Sequence, residues 1–468
     1  MKLDITFALF FGNRGFFPES LVASAKEEMI RAVHSAGFSH IMPGNDFTRY
    51  GAVETFAEGK KYAAFLENNK GKFDGVILCL PNFGDENGAV YALKDAGVPV
   101  LIQAYPDEIG KMDFNSRRDA FCGKFSIMDL FVQFGVSFSS YMPHVAHPLS
   151  EDFSRQLKSF GAVCRTVKQM KNLRIGAIGA RTTAFKSIRY DELALQKSRI
   201  DIETLDLSEI LLRVKSIGTD HPGFKERKNH LLSKSNWRNV PSDAIETHTK
   251  LSLVFDEVIH EYSLDAVSIR CWIELEKEIH IAPCVLIGDL NERGIAAACE
   301  LDICNTVAMQ ILKAASGAPA ALLDWNNNYG SCADKCILFH CGPVAFSLMA
   351  GTGEIVDHPM FAKTLGPGKG WGPNTGRIKP TPMTFMSVKT VNGKIHFYTG
   401  EGDFTDDNIE KEFFGCAGVA HIENLQKKLL RIGQSGYRHH VSVCPAWVAE
   451  AVREASTRYL GFTETILE

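Results

Sequence analysis

A chain of 468 residues exceeds what one hydrophobic core organises, so two or three domains are expected. With 45% apolar residues, 23% charged residues and a net charge of −4, the composition is that of an ordinary globular protein and lacks the basic surplus of a nucleic-acid-binding one. No run approaches the roughly 20 apolar residues that cross a bilayer, which argues against a membrane-spanning helix.

The N-terminal apolar stretch is broken by Asp4 and by Asn13-Arg14, and no small-residue cleavage site follows. Ile5 to Phe11 is therefore expected to be a first strand of a cytoplasmic protein, not a secretory signal. Helical spacing over Pro18 to Ala36 ends at Gly37. A strand at Phe73 to Leu80, a helix at Asn87 to Ala96 closed by Gly97, and a strand at Val98 to Gln103 follow. Alternation of this kind implies parallel pairing with right-handed crossovers, so residues 1–168 are read as one α/β domain.

A second α/β domain, residues 169–342, opens with the strand in LRIGAIG. Gly176 to Gly179 is GxxG, without the GxGxxG spacing or the downstream acid of a dinucleotide site. Gly218 to Asn239 reads as polar loop, and its short basic cluster Lys225 to Lys228 as a solvated face. A helix at Ala244 to His260 and a strand at Ala266 to Cys271 come next.

From Cys341 the texture changes, and residues 343–468 are expected to form a small β-rich domain. Glycine and proline crowd Gly351 to Pro382, which reads as a long surface or active-site loop; no helix with a Gly-Lys-Ser/Thr start follows, so it is not a phosphate loop. Met383 to Thr390 and Lys394 to Thr399 flank an Asn-Gly turn signal. His439 and His440 precede a strand, and a helix is expected over Pro445 to Leu460. The fold class is thus two Rossmann-like α/β domains with parallel sheets followed by a small β-barrel-like domain. The 12 cysteines lie mostly in apolar segments without a CxxC pair; reduced core thiols are expected, and Cys332, Cys336, His340 and Cys341 lack structural-zinc spacing.

The chemistry concentrates between Ala282 and Gly342. Glu300 in ACELD and Asp324 in LLDWNNN are separated by a helix over Asp302 to Ser316 and a buried strand over Ala318 to Leu323. Asp324 thus sits where a strand ends, the usual ligand side of an open α/β sheet. A carboxylate beside Ala and Leu loses water and needs a cation or several hydrogen bonds in return. Trp325, Asn326, Asn327, Asn328, Tyr329 and His340 add amide and ring groups, and an oxygen-rich set of this kind suits Mn²⁺ or Mg²⁺. The plainer alternatives are that Glu300 caps the following helix and Asp324 opens a turn.

CWIELEK at Cys271 to Lys277, APC at Ala282 to Cys284, LNERGIAAACELD at Leu290 to Asp302 and ASGAPAALLDWNNNYG at Ala315 to Gly330 together resemble the L-fucose isomerase family, related in fold to L-arabinose isomerase. The resemblance implies an aldose–ketose isomerase that works through an enediol with Mn²⁺, or with Mg²⁺ or Co²⁺. It assigns Glu300, Asp324 and His440 as metal ligands, Glu300 and Asp324 as the acid–base pair, and His439, with Trp325 and Asn326, as contacts to the sugar. FGNRGFFP resembles the segment whose arginine reaches sugar in a neighbouring subunit, which would give Arg14 that role; an edge-strand arginine is the alternative. His340 is expected near the metal, orienting a ligand, and the implied assembly is a homo-oligomer, commonly a hexamer. The family's chains are usually longer, and Asn291-Glu292 replaces the common Asn-Asp, so fucose, arabinose and modified pentoses stay open as substrates. Other readings are a metal-dependent lyase or epimerase on a sugar acid, and a non-catalytic sugar-binding protein.

Overall fold

The apolar run TFALFF forms strand β1 (Thr6–Phe11) in a computed structural model that describes residues 4–17, 20–114 and 116–467. The chain divides into two compact units: one built from the chain up to Lys168 together with Glu454–Gly461, the other from Gln169–Arg453 and the segment from Phe462.

In the first unit β1 is followed by α1 (Ser20–Ser35), β2 (Ser39–Ile41), α2 (Phe56–Asn68), β3 (Gly75–Leu80), α3 (Glu86–Leu93), β4 (Val100–Ala104), α4 (Ala120–Gln133) and most of α5 (Glu151–Met170). The four strands form one parallel sheet in the order β2-β1-β3-β4. Both faces are covered, with Phe10, Leu78 and Phe131 in one apolar cluster and Phe7, Met29 and Phe160 in the other. That explains why β3 is apolar at every position instead of alternating. Pro18, the expected start of α1, lies outside the described residues.

The second unit carries β5 (Leu173–Ile178), α6 (Glu192–Lys197), β6 (Ile200–Leu205), α7 (Leu207–Ser216), α8 (Phe224–Lys234), α9 (Ser242–Glu261), β7 (Ala266–Ile269), α10 (Glu274–Ile279), α11 (Cys284–Glu292), β8 (Ala296–Cys299) and α12 (Ile303–Ser316). Its parallel sheet has the order β6-β5-β7-β8. Helix α8 corrects the loop expected over Gly218 to Asn239: its charge hides the two apolar residues, Phe224 and Leu231, that it buries. Arg227 is no part of a solvated face either, because it pairs with Asp256 and the buried Asp289.

Helix α9 buries His248 completely, where Nδ1 donates to the Ala244 carbonyl at 2.8 Å and Nε2 lies 3.3 Å from the Ala282 carbonyl. Burial pushes its pKa down from 6.5 to about 4, and the two carbonyls recover only part of the cost of charge. The unfolded chain therefore takes up this proton first. His248 stabilises the fold fully above pH 6.5, and that contribution is lost as pH falls toward 4, on the order of 3 kcal/mol over the window. Melting temperatures from neutral to pH 4 should decline more steeply for the wild type than for His248→Gln; parallel profiles would refute the assignment.

Beyond α12 the chain continues through β9 (Ala321–Asn328), β10 (Lys335–His340), β11 (Glu354–Asp357), α13 (Pro359–Leu365), β12 (Trp371–Arg377), β13 (Thr381–Val391), β14 (Lys394–Phe404), β15 (Cys416–His421), α14 (Leu425–Gln434), β16 (His440–Cys444), α15 (Ala449–Glu454) and β17 (Thr463–Glu464). Strands β15-β10-β9-β16-β13-β14 run in sequence around a ring that the β14–β15 pairing closes, making a six-stranded barrel. The barrel thus takes in β9 and β10, which precede residue 343. The hairpin expected at Asn392-Gly393 is present, with φ of 53° and 72° at the two turn residues.

The glycine-rich Gly351 to Pro382 is not a long loop. It holds β11, α13 and β12, and its glycines serve close approach: a Cβ on Gly372 would lie 1.8 Å from the Ala282 carbonyl oxygen. The expected Pro445 to Leu460 helix is also divided, into α15 and a π-helical turn over Ala455–Tyr459. That turn belongs to the first unit, where Tyr459 and Ser139 share a hydrogen bond of 2.9 Å.

Candidate metal centre

Helix α12 packs against β7 and β8 on one side and against β13 and β16 on the other, so its N-terminus lies where sheet and barrel meet. Strand alternation sets the rest. Along β16, Val441 and Val443 enter the barrel core, leaving His440 and Ser442 to face α12, where Ser442 Oγ donates to the Asn305 carbonyl at 3.2 Å. Along β9, Leu323 and Trp325 point into the barrel, so Asp324 shares the outer face with His440, its direct cross-strand partner. Glu300 arrives from the end of β8 through a backbone turn in which Glu300 and Leu301 both hold left-handed conformations, φ 61° and 63°. Non-glycine residues there cost about 1–3 kcal/mol each, a strain typical of functional sites.

Three side chains converge. His440 Nε2 lies 3.2 Å from Glu300 Oε2 and 3.5 Å from Asp324 Oδ1, and all three atoms are buried without a hydrogen-bond partner among the described residues. Two carboxylate oxygens and one imidazole nitrogen, each orphaned and turned toward the others, form an oxygen-rich donor set that fits Mn²⁺ or Mg²⁺. Burial disfavours charge on His440, but Asp302 and Glu300 outweigh it and hold its pKa at about 10. Buried carboxylates thus surround that ring with negative charge.

Asp302 supports this arrangement and was missed as a site residue. It is fully buried and accepts from His440 Nδ1 at 2.8 Å, from the guanidinium of Arg438, and from the Asn305 amide N–H at 3.1 Å as the N-cap of α12. The bond to Nδ1 fixes the ring and leaves Nε2 facing the carboxylates. Burial opposes ionisation of Asp302, yet Arg438 and His440 hold its carboxyl below the usual range.

His340 lies within the same cluster as Glu300 and His440. Its Nδ1 accepts the Cys341 backbone N–H at 2.9 Å, so in the neutral ring the proton sits on Nε2. Nε2 then enters the site as a donor, not as a lone pair. His439 stands at the rim, 41% exposed, with Nε2 3.7 Å from Asp324 Oδ1 and its ring against Phe185. Trp272 donates to Glu300 Oε1 at 3.3 Å and packs with Phe185 and Phe361 as an aromatic wall. Asn326 is exposed on β9, at the register shift between β9 and β10. Trp325, expected at the sugar, points the other way: it packs on Phe385 inside the barrel and donates to the Tyr398 hydroxyl at 3.1 Å, as strand alternation after Asp324 requires. Arg14, in the first unit, stacks on Phe83 at 4.2 Å, donates to the Gly84 carbonyl at 3.0 Å and pairs with Glu86 at 3.5 Å.

Residues 8–171 match the fucose/sulfoquinovose isomerase N-terminal domain, and residues 338–466 match the L-fucose isomerase C-terminal domain. The chain belongs to the L-fucose isomerase-like family. That family consists of aldose–ketose isomerases, a class of intramolecular oxidoreductase. Among its members, a sulfoquinovose isomerase of Alkalicoccus urumqiensis is 25% identical over 298 residues, 61% of this chain and 63% of that protein. The sulfoquinovose isomerase of Priestia megaterium is 23% identical over 433 residues, covering 88% of this chain and 90% of its own length. A third, from a Clostridium species, is 24% identical over 223 residues, covering 47% and 49%. The family's C-terminal match includes His340, His439 and His440, whereas Glu300 and Asp324 lie between the two matched segments. Among the described residues no helix is long and apolar enough to cross a membrane.

Proposed function

We propose that this chain is a divalent-metal-dependent isomerase that interconverts an aldose and its ketose, with the metal held by Glu300, Asp324 and His440. The observation that carries the reading is the convergence of three orphaned buried ligand atoms on one point. A divalent cation there would supply Lewis acidity toward the oxygen on which negative charge builds.

The chain's own groups do the rest. Isomerisation removes a proton from the carbon alpha to the carbonyl and returns one to the neighbouring carbon through an enediol. Glu300, from the turn after β8, and Asp324, from β9, approach His440 from different elements, and this arrangement suits one carboxylate as base and the other as acid. The Nε2–H of His340 is available to a sugar or enediol oxygen. His439 and Asn326, at the open side, suit sugar hydroxyls, while Phe185, Trp272 and Phe361 offer an apolar wall to the sugar's C–H face and limit water. Arg14 remains a sugar contact by resemblance, presented to a neighbouring copy in a homo-oligomer, a hexamer by the same resemblance. A cytoplasmic location completes the reading.

The candidate substrates are neutral aldoses such as L-fucose and D-arabinose, together with sulfoquinovose, which the relatives' names specify. An assay of ketose formation on these sugars, with Mn²⁺ and with EDTA, should give turnover of at least one aldose that EDTA abolishes. Bound metal with no ketose from any of them would turn the reading toward a lyase or epimerase on a sugar acid. Absence of both metal binding and turnover would favour a sugar-binding protein.

A further inference from the structure

Glu300 lines a small, partly open pocket of about 10 Å³, at the lower bound of what one ordered water molecule needs. Glu276, from α10, Glu300, His340 and His358 all line it, and four thiols make up much of the remaining wall. Glu276 is fully buried, and among the described residues neither of its carboxyl oxygens has a hydrogen-bond partner; Nδ1 of His358 is likewise buried and unpartnered among them. A carboxyl in such a place costs the fold several kcal/mol unless something bonds it. Thiols are poor partners. Burial raises the Glu276 pKa to about 8, so at neutral pH it carries a proton and can donate, while burial keeps His358 neutral at about 4.

We propose that Glu276 is a positioning residue for Glu300: one ordered water in this cavity joins its carboxyl to the Glu300 side chain and fixes the direction in which Glu300 presents its metal-side oxygen. The inference rests on the reading of Glu300 as a metal ligand. The cavity meets the requirements of a held water, with room for one molecule and several unpartnered polar atoms around it. Glu300 needs such a restraint, because among the described residues its Oε1 accepts only from the Trp272 indole, at a long 3.3 Å, while Oε2 faces His440. Replacing Glu276 by an apolar residue would relieve the fold of a desolvated acid and disable the site at the same time, a split that a packing residue does not give.

The test compares Glu276→Leu with Glu276→Gln, reading melting temperature, Mn²⁺ affinity by calorimetry, and kcat against KM, beside a high-resolution crystal structure of the wild type. Glu276→Leu should melt at or above the wild type while Mn²⁺ affinity and kcat fall about 10–100-fold, the usual range for a group behind a metal ligand. Glu276→Gln keeps a donor and should hold both within about threefold of the wild type, and the crystal structure should show a water bonded to both glutamates. Wild-type affinity and kcat in Glu276→Leu would overturn the proposal, as would a lowered melting temperature in both variants or a cavity without that water. Should Glu276→Leu fail to fold, Glu276→Gln and the crystal structure decide. If the wild type binds no Mn²⁺ and turns over no aldose, the metal-centre reading fails by itself, and the presence or absence of the bridging water still judges the positioning role.

Discussion

Glu300→Gln and Asp324→Asn are each expected to lower turnover by at least about a thousandfold with the fold intact. General acid–base groups contribute roughly 10²–10⁴ in rate, and in the proposed site the same carboxylates are also the ligands, so each amide would remove two functions together. Stability should behave differently. Glu300 is held ionised by its closeness to His440, against the pull of burial. An amide of the same shape keeps the packing and removes a buried charge, so the metal-free variants should melt within a few degrees of the wild type. Circular dichroism and thermal melts, run beside the assay, separate the two effects. Either variant retaining more than about a tenth of wild-type turnover would remove that carboxylate from the mechanism.

Asp302→Ala should have the largest effect on stability. Arg438 is only 8% exposed, its Nε already lacks a partner, and Asp302 is the carboxylate that neutralises it. Removing one member of a buried pair costs about 3–5 kcal/mol because the survivor is left charged and dry. The lost cap of α12 adds about 1 kcal/mol. Denaturant unfolding of Asp302→Ala measures the sum, and the double variant Asp302→Leu/Arg438→Met should recover most of it, since neither charge then remains. A single variant within about 1 kcal/mol of the wild type would show that Arg438 finds another partner. Metal affinity should fall in both variants, because His440 Nδ1 loses the acceptor that fixes its ring.

The α/β frame was legible because its strands are buried on both faces and read as apolar runs, as at Gly75 to Leu80. The β hairpin was legible from Asn392-Gly393. What escaped depends on contacts distant in sequence. Asp302 looks locally like a helix cap, and nothing beside it announces that Arg438 and His440 will close over it. Closure of the barrel rests on the β14–β15 pairing, which no local pattern encodes. Helix α8 was hidden by its charges and the β11–β12 region by its glycines, which serve close packing as at Gly372. Trp325 could have been read correctly, since an alternating strand that turns Asp324 outward must turn the next residue inward. Glu276 stands in the family-like run CWIELEK, yet its importance shows only once the fold buries it without a partner.

The central claim is that Glu300, Asp324 and His440 together hold one divalent cation. Calorimetric titration of the metal-stripped protein with Mn²⁺, repeated on Glu300→Gln, Asp324→Asn and His440→Ala, tests it most directly. The account predicts one Mn²⁺ per chain in the wild type and strongly weakened binding in all three variants. Full-strength binding in any one of them, or no binding in the wild type, would contradict it.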